Sequence, residues 1–217
     1  MPDRPTSKGT RNVIEEIRST ARPGQSASAV RAFEEAVDLL QRDRTSAAIA
    51  AALRAKDLAP RSGAVREVLG IALYRAERFR DALRELQAYR RMTGRLDQNH
   101  LIADCYRALG APEKAIDPVR DALQARLPDD VRAEAAIVGA SALADLGRFT
   151  EALSMLRASP RSERLSRDFD LRVWYVTGDI LERAGRRAEA AEEFRRIVRH
   201  DPGAFDAAER LAGLSPG

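Results

Sequence analysis

The sequence has few of the residues that form covalent cross-links or metal sites. It contains one cysteine, Cys105, and two histidines, His100 and His200, among 217 residues. A single cysteine excludes an intramolecular disulfide framework. The histidines lie far apart and lack the paired spacing of metal ligands, so we expect no metal site and no cofactor. Cys105 is expected to be a small buried residue.

Long apolar runs and phosphate-binding glycine loops are also missing. No stretch approaches the roughly 20 apolar residues that span a bilayer, and residues 1–29 lack the apolar core of a secretory signal. We therefore expect a cytoplasmic protein without a membrane segment. Carboxylate pairs such as Asp129 and Asp130 have no distinctive partner. Because no catalytic constellation is visible, we expect no enzymatic activity.

A large excess of charge of one sign is absent as well. The chain has 37 basic and 33 acidic residues, a net charge of +4, and 32% of its residues are charged. Such a balance is typical of solvated helical surfaces and disfavours a nucleic-acid-binding arm. Arginine supplies 34 of the 37 basic residues, which indicates either phosphate and carboxylate recognition or a coding bias.

One short pattern recurs five times along the chain. The segment 147–153 resembles segments 77–83, 110–116 and 185–191, and segment 43–49 is a weaker copy. One alanine recurs in every copy, at intervals of 34, 33, 37 and 38 residues: Ala48, Ala82, Ala115, Ala152 and Ala190. A period of this length is typical of helical repeat proteins.

Each copy predicts two helices joined by a short turn. An apolar pattern of helical period precedes the turn and a second one follows it. Glycine at 110, 147 and 185 is suited to the left-handed conformation that ends a helix. The recurring alanine is small because a larger side chain would push the two helices apart. Pro60 and Pro202 follow second helices and stop them.

These copies resemble the tetratricopeptide repeat family. The last copy matches the family pattern best, at Trp174, Gly178, Leu181, Gly185, Ala190, Phe194 and Pro202. The resemblance implies an all-α fold, a right-handed superhelical solenoid of about five helix pairs with a C-terminal capping helix. We expect a solenoid over residues 29–202, with copies starting near 29, 63, 96, 133 and 171. The motif is specific for fold and not for function.

Several places depart from a regular repeat. The two longer intervals predict longer connections, or lengthened helices, around 126–130 and 159–163. Pro118 lies inside a second helix, where it removes a backbone donor. It predicts a kink or a late helix start, with a tolerated surface defect as the alternative.

The two ends carry short amphipathic patterns. We expect residues 1–28 to form a flexible tail, with 1–10 disordered. Val13, Ile14 and Ile17 share one face of a possible short helix at 12–19. This segment could cap the first repeat, occupy the groove in cis or bind a partner. Residues 203–217 predict the capping helix and tail, with Phe205 among the apolar residues of that helix.

The family resemblance implies that the first helix of each pair lines a concave groove that binds peptide or protein. Lysine and asparagine residues that clamp an acidic peptide tail in some relatives are replaced here, by Phe33 and Val37 among others. The fourth copy also places Ile137 and Ala144 on this face. The groove-binding residues that we predict are Phe33, Val37, Glu67, Ile71, Tyr74, His100, Asp104, Arg107, Ser141, Tyr175, Asp179 and Glu182.

Two properties of this face follow from its residues. The face of the first copy is almost wholly apolar and must be covered by the N-terminal helix, by a second chain in a homodimer or by a ligand peptide. Over the whole face, four arginines stand against seven carboxylates. The groove is therefore expected to be acidic, which favours a neutral or basic protein segment and makes nucleic acid an unlikely ligand there.

These observations favour a non-enzymatic adaptor that binds an unknown protein or peptide in the groove. Tyr74 and Tyr175 would be aromatic anchors of that interface. The alternative is an RNA- or ribosome-associated factor that uses arginines on outer faces, such as Arg80, Arg84, Arg90 and Arg91. A third possibility is a helical accessory that acts in trans on a larger enzyme or transcription regulator.

Overall fold

The computed structural model describes residues 8–159 and 168–214, which form twelve α-helices, one 3₁₀ turn and no strand. Helix α1 (Lys8–Thr20) precedes five helix pairs and helix α12 (Ala207–Leu214) follows them. The pairs are α2 (Ser26–Gln41) with α3 (Thr45–Leu58), α4 (Gly63–Arg75) with α5 (Phe79–Thr93), α6 (Asn99–Ala108) with α7 (Ile116–Gln124), α8 (Asp129–Asp145) with α9 (Phe149–Arg157), and α10 (Asp168–Arg183) with α11 (Arg187–His200).

The chain divides into two compact units, Met1–Cys105 and Tyr106–Gly217. In the first unit, apolar side chains of α2, α3, α4 and α5 form one core cluster, and a second cluster joins α1 to α2, α3 and α4. In the second unit, one cluster gathers apolar side chains from α8 to α12. No helix of the described ranges is both long and apolar enough to cross a membrane.

Small residues let the two helices of a pair approach closely. The five recurring alanines are all 0% exposed, as predicted. Two glycines on first helices press against large side chains of second helices in the same way. A Cβ atom added to Gly70 would lie 2.7 Å from the Leu86 side chain, and one added to Gly178 would lie 2.9 Å from the Phe194 ring. The pairs are therefore held at a distance that leaves no room for a larger side chain.

The turns inside the pairs adopt the left-handed conformation in all five copies. Gly110, Gly147 and Gly185 have φ angles of 74°, 73° and 76°, which confirms the prediction for these glycines. The first two copies use Asp43 and Glu77 instead, with φ angles of 54° and 57°. For a residue with a Cβ atom this conformation costs roughly 1–2 kcal/mol, so the helix packing must impose it.

In three copies, an arginine just before the second helix pairs with a carboxylate three residues later. Arg186 donates two hydrogen bonds to Glu189 at 2.7 and 2.6 Å, and Arg148 donates two to Glu151 at 2.7 Å each. Arg78 and Asp81 repeat the arrangement at 3.2 and 2.7 Å. The carboxylate lies in the first helical turn, where the helix dipole favours a negative charge.

Pro118 coincides with a late helix start. Residues Pro112–Ala115 form a 3₁₀ turn, and α7 begins only at Ile116. Pro118 therefore lies in the first turn of α7, where its missing N–H has no helical acceptor. Because Pro118 is buried, the alternative of a surface defect is wrong.

The longer interval near 126–130 is accommodated by the connection 125–128 and by α8, which is 17 residues long. In the second longer interval, Ser159 is described, and residues from 160 onward lie outside the described ranges until 168.

Helix α1 begins at Lys8, so the expectation of disorder through residue 10 is wrong for residues 8–10; residues 1–7 lie outside the described ranges. Ile17 is fully buried, and the Glu16 carboxylate accepts hydrogen bonds from Ser62 Oγ at 2.7 Å and from the Gly63 N–H at 2.6 Å. The Glu16 contacts tie α1 to the N-terminal end of α4.

The C-terminal segment differs from the expected helix at its start. Phe205 is 51% exposed and has a φ angle of 57°, so it precedes α12 and is not part of it. Its ring lies 4.7 Å from the Tyr175 ring. Ala207 and Leu214 are the residues of α12 that are buried. Helix α12 packs on α11, so it shields the last pair.

A buried ion pair network joins three helices of the first unit. Glu85 on α5 is 1% exposed and accepts hydrogen bonds from Lys56 Nζ at 2.8 Å and from Arg66 Nη1 at 2.6 Å. Burial would raise the pKa of the Glu85 carboxyl, but the hydrogen bonds from Lys56 and Arg66 outweigh it, and the pKa is lowered. Cys105 is buried as predicted, and burial raises the pKa of its thiol to about 12.

The close approach of paired helices predicts the effect of enlarging a recurring alanine. Ala82→Leu should lower the free energy of unfolding by about 1–3 kcal/mol, because the added methyl groups overpack the α4–α5 contact. Ala50→Leu places the same side chain on the exposed side of α3 and should change stability by less than about 0.5 kcal/mol. Urea denaturation measures both. Equal effects of the two substitutions would contradict the packing argument.

The Glu85 network predicts a specific pH dependence. Since its pKa is lowered by folding, the carboxylate stabilises the fold above the ordinary value of 4.5 and loses this effect as the pH falls through the lowered pKa. Glu85→Gln should cost about 1.5–3 kcal/mol at pH 7. The difference in free energy of unfolding between wild type and Glu85→Gln should become smaller below about pH 4.5.

Urea titrations at pH 7, 5, 4 and 3 measure this difference. Glu35→Gln is the matched control, because Glu35 pairs with Arg54 while both side chains are 53% exposed, and it should cost less than about 1 kcal/mol. A constant difference between wild type and Glu85→Gln from pH 7 to 3 is the result that would refute the assignment.

Candidate functional site

The predicted binding residues all lie on the first helices of the pairs, and we call this set the first-helix face. Their distribution over the helices is Phe33 and Val37 on α2, Glu67, Ile71 and Tyr74 on α4, His100, Asp104 and Arg107 on α6, Ser141 on α8, and Tyr175, Asp179 and Glu182 on α10. All twelve side chains are half-buried.

The first unit presents apolar side chains on two adjacent first helices. Helices α2 and α4 contact each other. Phe33 packs in the cluster that includes α1, whereas Ile71 and Tyr74 belong to the cluster without α1. The Tyr74 ring meets the Phe79 ring edge-on, with 5.8 Å between centroids. Helix α1 therefore packs on part of the apolar face of the first copy.

Polar residues of the first-unit face bind each other between neighbouring copies. Tyr74 Oη donates a hydrogen bond to Asp104 Oδ2 at 2.6 Å, and Gln98 Nε2 donates one to Glu67 Oε1 at 2.9 Å. Burial raises the pKa of Glu67, although the hydrogen bond from Gln98 acts in the opposite direction. Both contacts join α4 to the following copy, so Glu67 and Asp104 already have partners inside the chain.

The second unit shows the same type of contact with full charges. Arg107 Nε donates to Asp145 Oδ2 at 2.9 Å, and Arg183 Nη2 donates to the other oxygen of Asp145 at 3.2 Å. Arg172 forms an ion pair with Glu134 at 2.7 Å. These contacts link α8 to the copies on either side of it.

Helix α8 is buried on most of its circumference. Ile137 and Ala144, which were expected to face the groove, are only 6% and 2% exposed, so that expectation is wrong. Helices α7, α9 and α10 all contact α8, and a helix of small and apolar residues is suited to such an environment. Ser141 is the half-buried member of the predicted set on this helix.

The α10 part of the face holds an arginine that the sequence reasoning missed. Arg210, on α12, donates to Glu182 Oε2 at 2.7 Å, to Asp179 Oδ1 at 3.1 Å and to Tyr175 Oη at 3.3 Å. Its guanidinium carbon also lies 4.9 Å from the centre of the Phe194 ring. Burial would lower the pKa of Arg210, but its hydrogen bonds to the two carboxylates outweigh this effect, and the pKa is raised.

Two arginines from outside the predicted set reduce the acidity of the face. Arg95 pairs with Asp97, which also accepts a hydrogen bond from Tyr89 Oη at 2.8 Å, and Arg210 pairs with Asp179 and Glu182. With neighbouring first-helix positions counted, Arg75 and Arg95 stand against Glu67, Asp97 and Asp104 in the first unit. In the second unit, four arginines stand against four carboxylates: Arg107, Arg172, Arg183 and Arg210 against Glu134, Asp145, Asp179 and Glu182. The face is therefore nearly neutral and not strongly acidic.

Repeat spacing is the sequence feature that could have revealed these pairs. The partners Tyr74 and Asp104 are 30 residues apart, and Arg107 and Asp145 are 38 apart. Arg210 lies 31 residues after Asp179 and 28 after Glu182. The separations of 30, 38 and 31 residues are near the repeat intervals of 33 to 38, so side chains about one repeat apart meet.

Comparisons with known proteins agree on the family. The family model described as tetratricopeptide repeat matches residues 68–131 and 137–207, together more than half of the chain. No curated protein sequence matches the chain significantly.

Solved structures show the same fold at low sequence identity. A thermophilic tetratricopeptide repeat protein of Thermus thermophilus is 18% identical with a TM-score of 0.66, over 86% of this chain and 98% of its own. YrrB, a tetratricopeptide repeat protein with an unusual peptide-binding site, is 19% identical with a TM-score of 0.60, over 83% and 90%. PilF of Pseudomonas aeruginosa is 14% identical with a TM-score of 0.67, over 88% and 90%. The recurring helix pairs, the family model and these solenoid structures together show that the chain belongs to the tetratricopeptide repeat family.

Proposed function

We propose that the protein is a non-enzymatic adaptor that binds a protein or peptide segment on its first-helix face. The tetratricopeptide repeat fold generally serves protein–protein interaction and is generally a non-enzymatic scaffold. The observation that carries the proposal for this chain is the group of half-buried apolar side chains Val37, Ile71 and Tyr74 on the adjacent helices α2 and α4.

The geometry of Tyr74 supports its role as an anchor. Its hydroxyl group is bound to Asp104 and its ring is packed edge-on against Phe79. A side chain fixed in this way loses little conformational entropy when a partner binds. Aromatic residues with fixed positions often contribute a large share of interface energy.

The charge of the face supports a partner that is held mainly by apolar contacts. Asp104, Glu67, Asp179 and Glu182 all have hydrogen-bond partners inside the chain. A ligand must therefore compete with these partners or bind beside them. YrrB, which has the same fold, has a peptide-binding site, and this likeness supports a peptide as one class of ligand.

Other expectations about partners stay predictions. A homodimer through the first-copy face is one of them, and α1 packs on Phe33 of that face. RNA binding through arginines of α5 is another, and Arg84 there already pairs with Asp81 at 3.2 Å. The cytoplasmic location expected from the sequence also stays a prediction.

The proposal can be tested by selecting ligands from a displayed peptide library on the immobilised full chain. Val37→Glu with Ile71→Glu should weaken the selected peptides at least tenfold in fluorescence anisotropy, because charge would enter an apolar contact. Val37→Thr with Ile71→Thr keeps the branched shape and should still weaken them severalfold. The Thr variant covers the case in which the Glu variant does not fold.

Leu53→Glu is the matched control, since Leu53 is 43% exposed on the second helix α3. It should leave the affinity unchanged within twofold. Peptides that bind the Thr and Glu variants as tightly as wild type, or that lose affinity only with Leu53→Glu, would overturn the placement of the site.

A further inference from the structure

Arg210 contacts acidic and aromatic side chains in the way that an arginine of a ligand would. Its guanidinium group contacts Asp179, Glu182 and the Tyr175 hydroxyl group, with distances from 2.7 to 3.3 Å. The rings of Phe194 and Tyr175 lie 4.9 and 5.8 Å from the guanidinium carbon. Three of the residues, Tyr175, Asp179 and Glu182, were predicted from the repeat register as binding residues of the first-helix face.

The groups around Arg210 are arranged in a way that suits a guanidinium group. The guanidinium group is planar and has N–H donors on more than one edge, so two carboxylates on one helix can each accept hydrogen bonds from a different edge. Aromatic rings also attract a delocalised cation. An ammonium group has the same charge, but its compact set of donors cannot reach all of these acceptors at once. A phosphate or a carboxylate would be repelled by Asp179 and Glu182.

Arg210 and the carboxylates that bind it are also accessible from solvent. The Arg210 side chain is 23% exposed, and those of Asp179 and Glu182 are 34% and 33% exposed. Solvent therefore reaches the contact that Arg210 makes, and an incoming arginine could approach it without prior opening of a core.

The segment that delivers Arg210 is short, and it packs along α11. Helix α12 has eight residues, of which Ala207 and Leu214 are buried. It follows the exposed Pro202 and Gly203 and the left-handed Phe205. An eight-residue helix has little stability by itself, so α12 depends on docking and its undocking is a local equilibrium.

We propose that Tyr175, Asp179, Glu182 and Phe194 form a guanidinium-binding subsite of the first-helix face, which α12 fills in cis with Arg210 and from which an arginine of a partner segment displaces it. This proposal rests on the proposed function and adds the chemistry of the ligand. The partner would carry an arginine followed by apolar residues, as α12 itself does with Leu211 and Leu214.

Occupation in cis has a quantitative consequence. When the binding-competent state is only a fraction of the population, the apparent dissociation constant rises by the inverse of that fraction. Removing the Arg210 side chain should therefore strengthen the binding of an external arginine segment. If α12 is docked in more than about nine-tenths of molecules, the gain is at least about tenfold.

The experiment uses full-length protein and a labelled peptide with the sequence of residues 203–214, followed by fluorescence anisotropy. Arg210→Ala should bind this peptide at least tenfold more tightly than wild type. Arg210→Gln keeps the first three side-chain carbons without the charge and should also strengthen binding, so it replaces the alanine variant where that variant does not fold. Arg199→Ala removes an exposed arginine of α11 and should leave the affinity at the wild-type level.

Two further arms test the chemistry of the subsite. The same peptide with citrulline in place of arginine has the same shape without the charge, and it should bind Arg210→Ala at least tenfold more weakly. Adding Asp179→Asn and Glu182→Gln to Arg210→Ala should abolish the gain. Equal binding by wild type and both Arg210 variants, or equal binding of the citrulline peptide, would overturn the proposal.

Failure here can be told apart from failure of the proposed function. The peptide of residues 203–214 reports on α10, whereas the library peptides are judged by substitutions on α2 and α4. If the peptide of residues 203–214 fails to bind as expected, the binding of library peptides can still be measured on the same full-length chain, and the reverse also holds.

Discussion

The close approach of the two helices in each pair is the constraint on which the structure depends. The fully buried recurring alanines lie on the second helices in four copies and, in the third, in the 3₁₀ turn just before α7. Gly70 and Gly178 make the matching contacts from the first helices, against Leu86 and Phe194. Because these contacts leave no room for a larger residue, they fix which side of each first helix is buried in its pair. The opposite side becomes the first-helix face.

Regular pairing also explains why residues about one repeat apart bind each other. When equivalent helices follow each other at similar intervals, polar side chains about one repeat apart come within hydrogen-bond distance. Tyr74 meets Asp104 in the first unit, and Arg107 meets Asp145 in the second. These contacts occupy the carboxylates that a charge count alone would offer to a ligand. The face that remains is nearly neutral, and its apolar residues become the main candidates for recognition.

The parts of the fold that depend on nearby residues could be predicted from the sequence. The recurring alanines, the left-handed glycines and the late start of α7 at Pro118 follow from local sterics and from the repeat period. Repeat spacing alone places Arg210 about one repeat after Asp179, but its contacts also depend on how α12 packs on α11, which the sequence does not show. The burial of Ile137 and Ala144 was missed for a similar reason, because α8 has small or apolar residues on nearly every side and no clear polar face.

Hydrogen–deuterium exchange on the full chain, with and without a library-selected peptide, tests whether ligands bind on the first-helix face. Binding on the first-helix face should slow exchange in α2 and α4, because a bound segment suppresses local opening of the helices it contacts. The second helices α3 and α5 should be protected much less. Protection confined to α3 and α5, with α2 and α4 unchanged, would contradict the account and place the binding surface on the other side of the helix pairs.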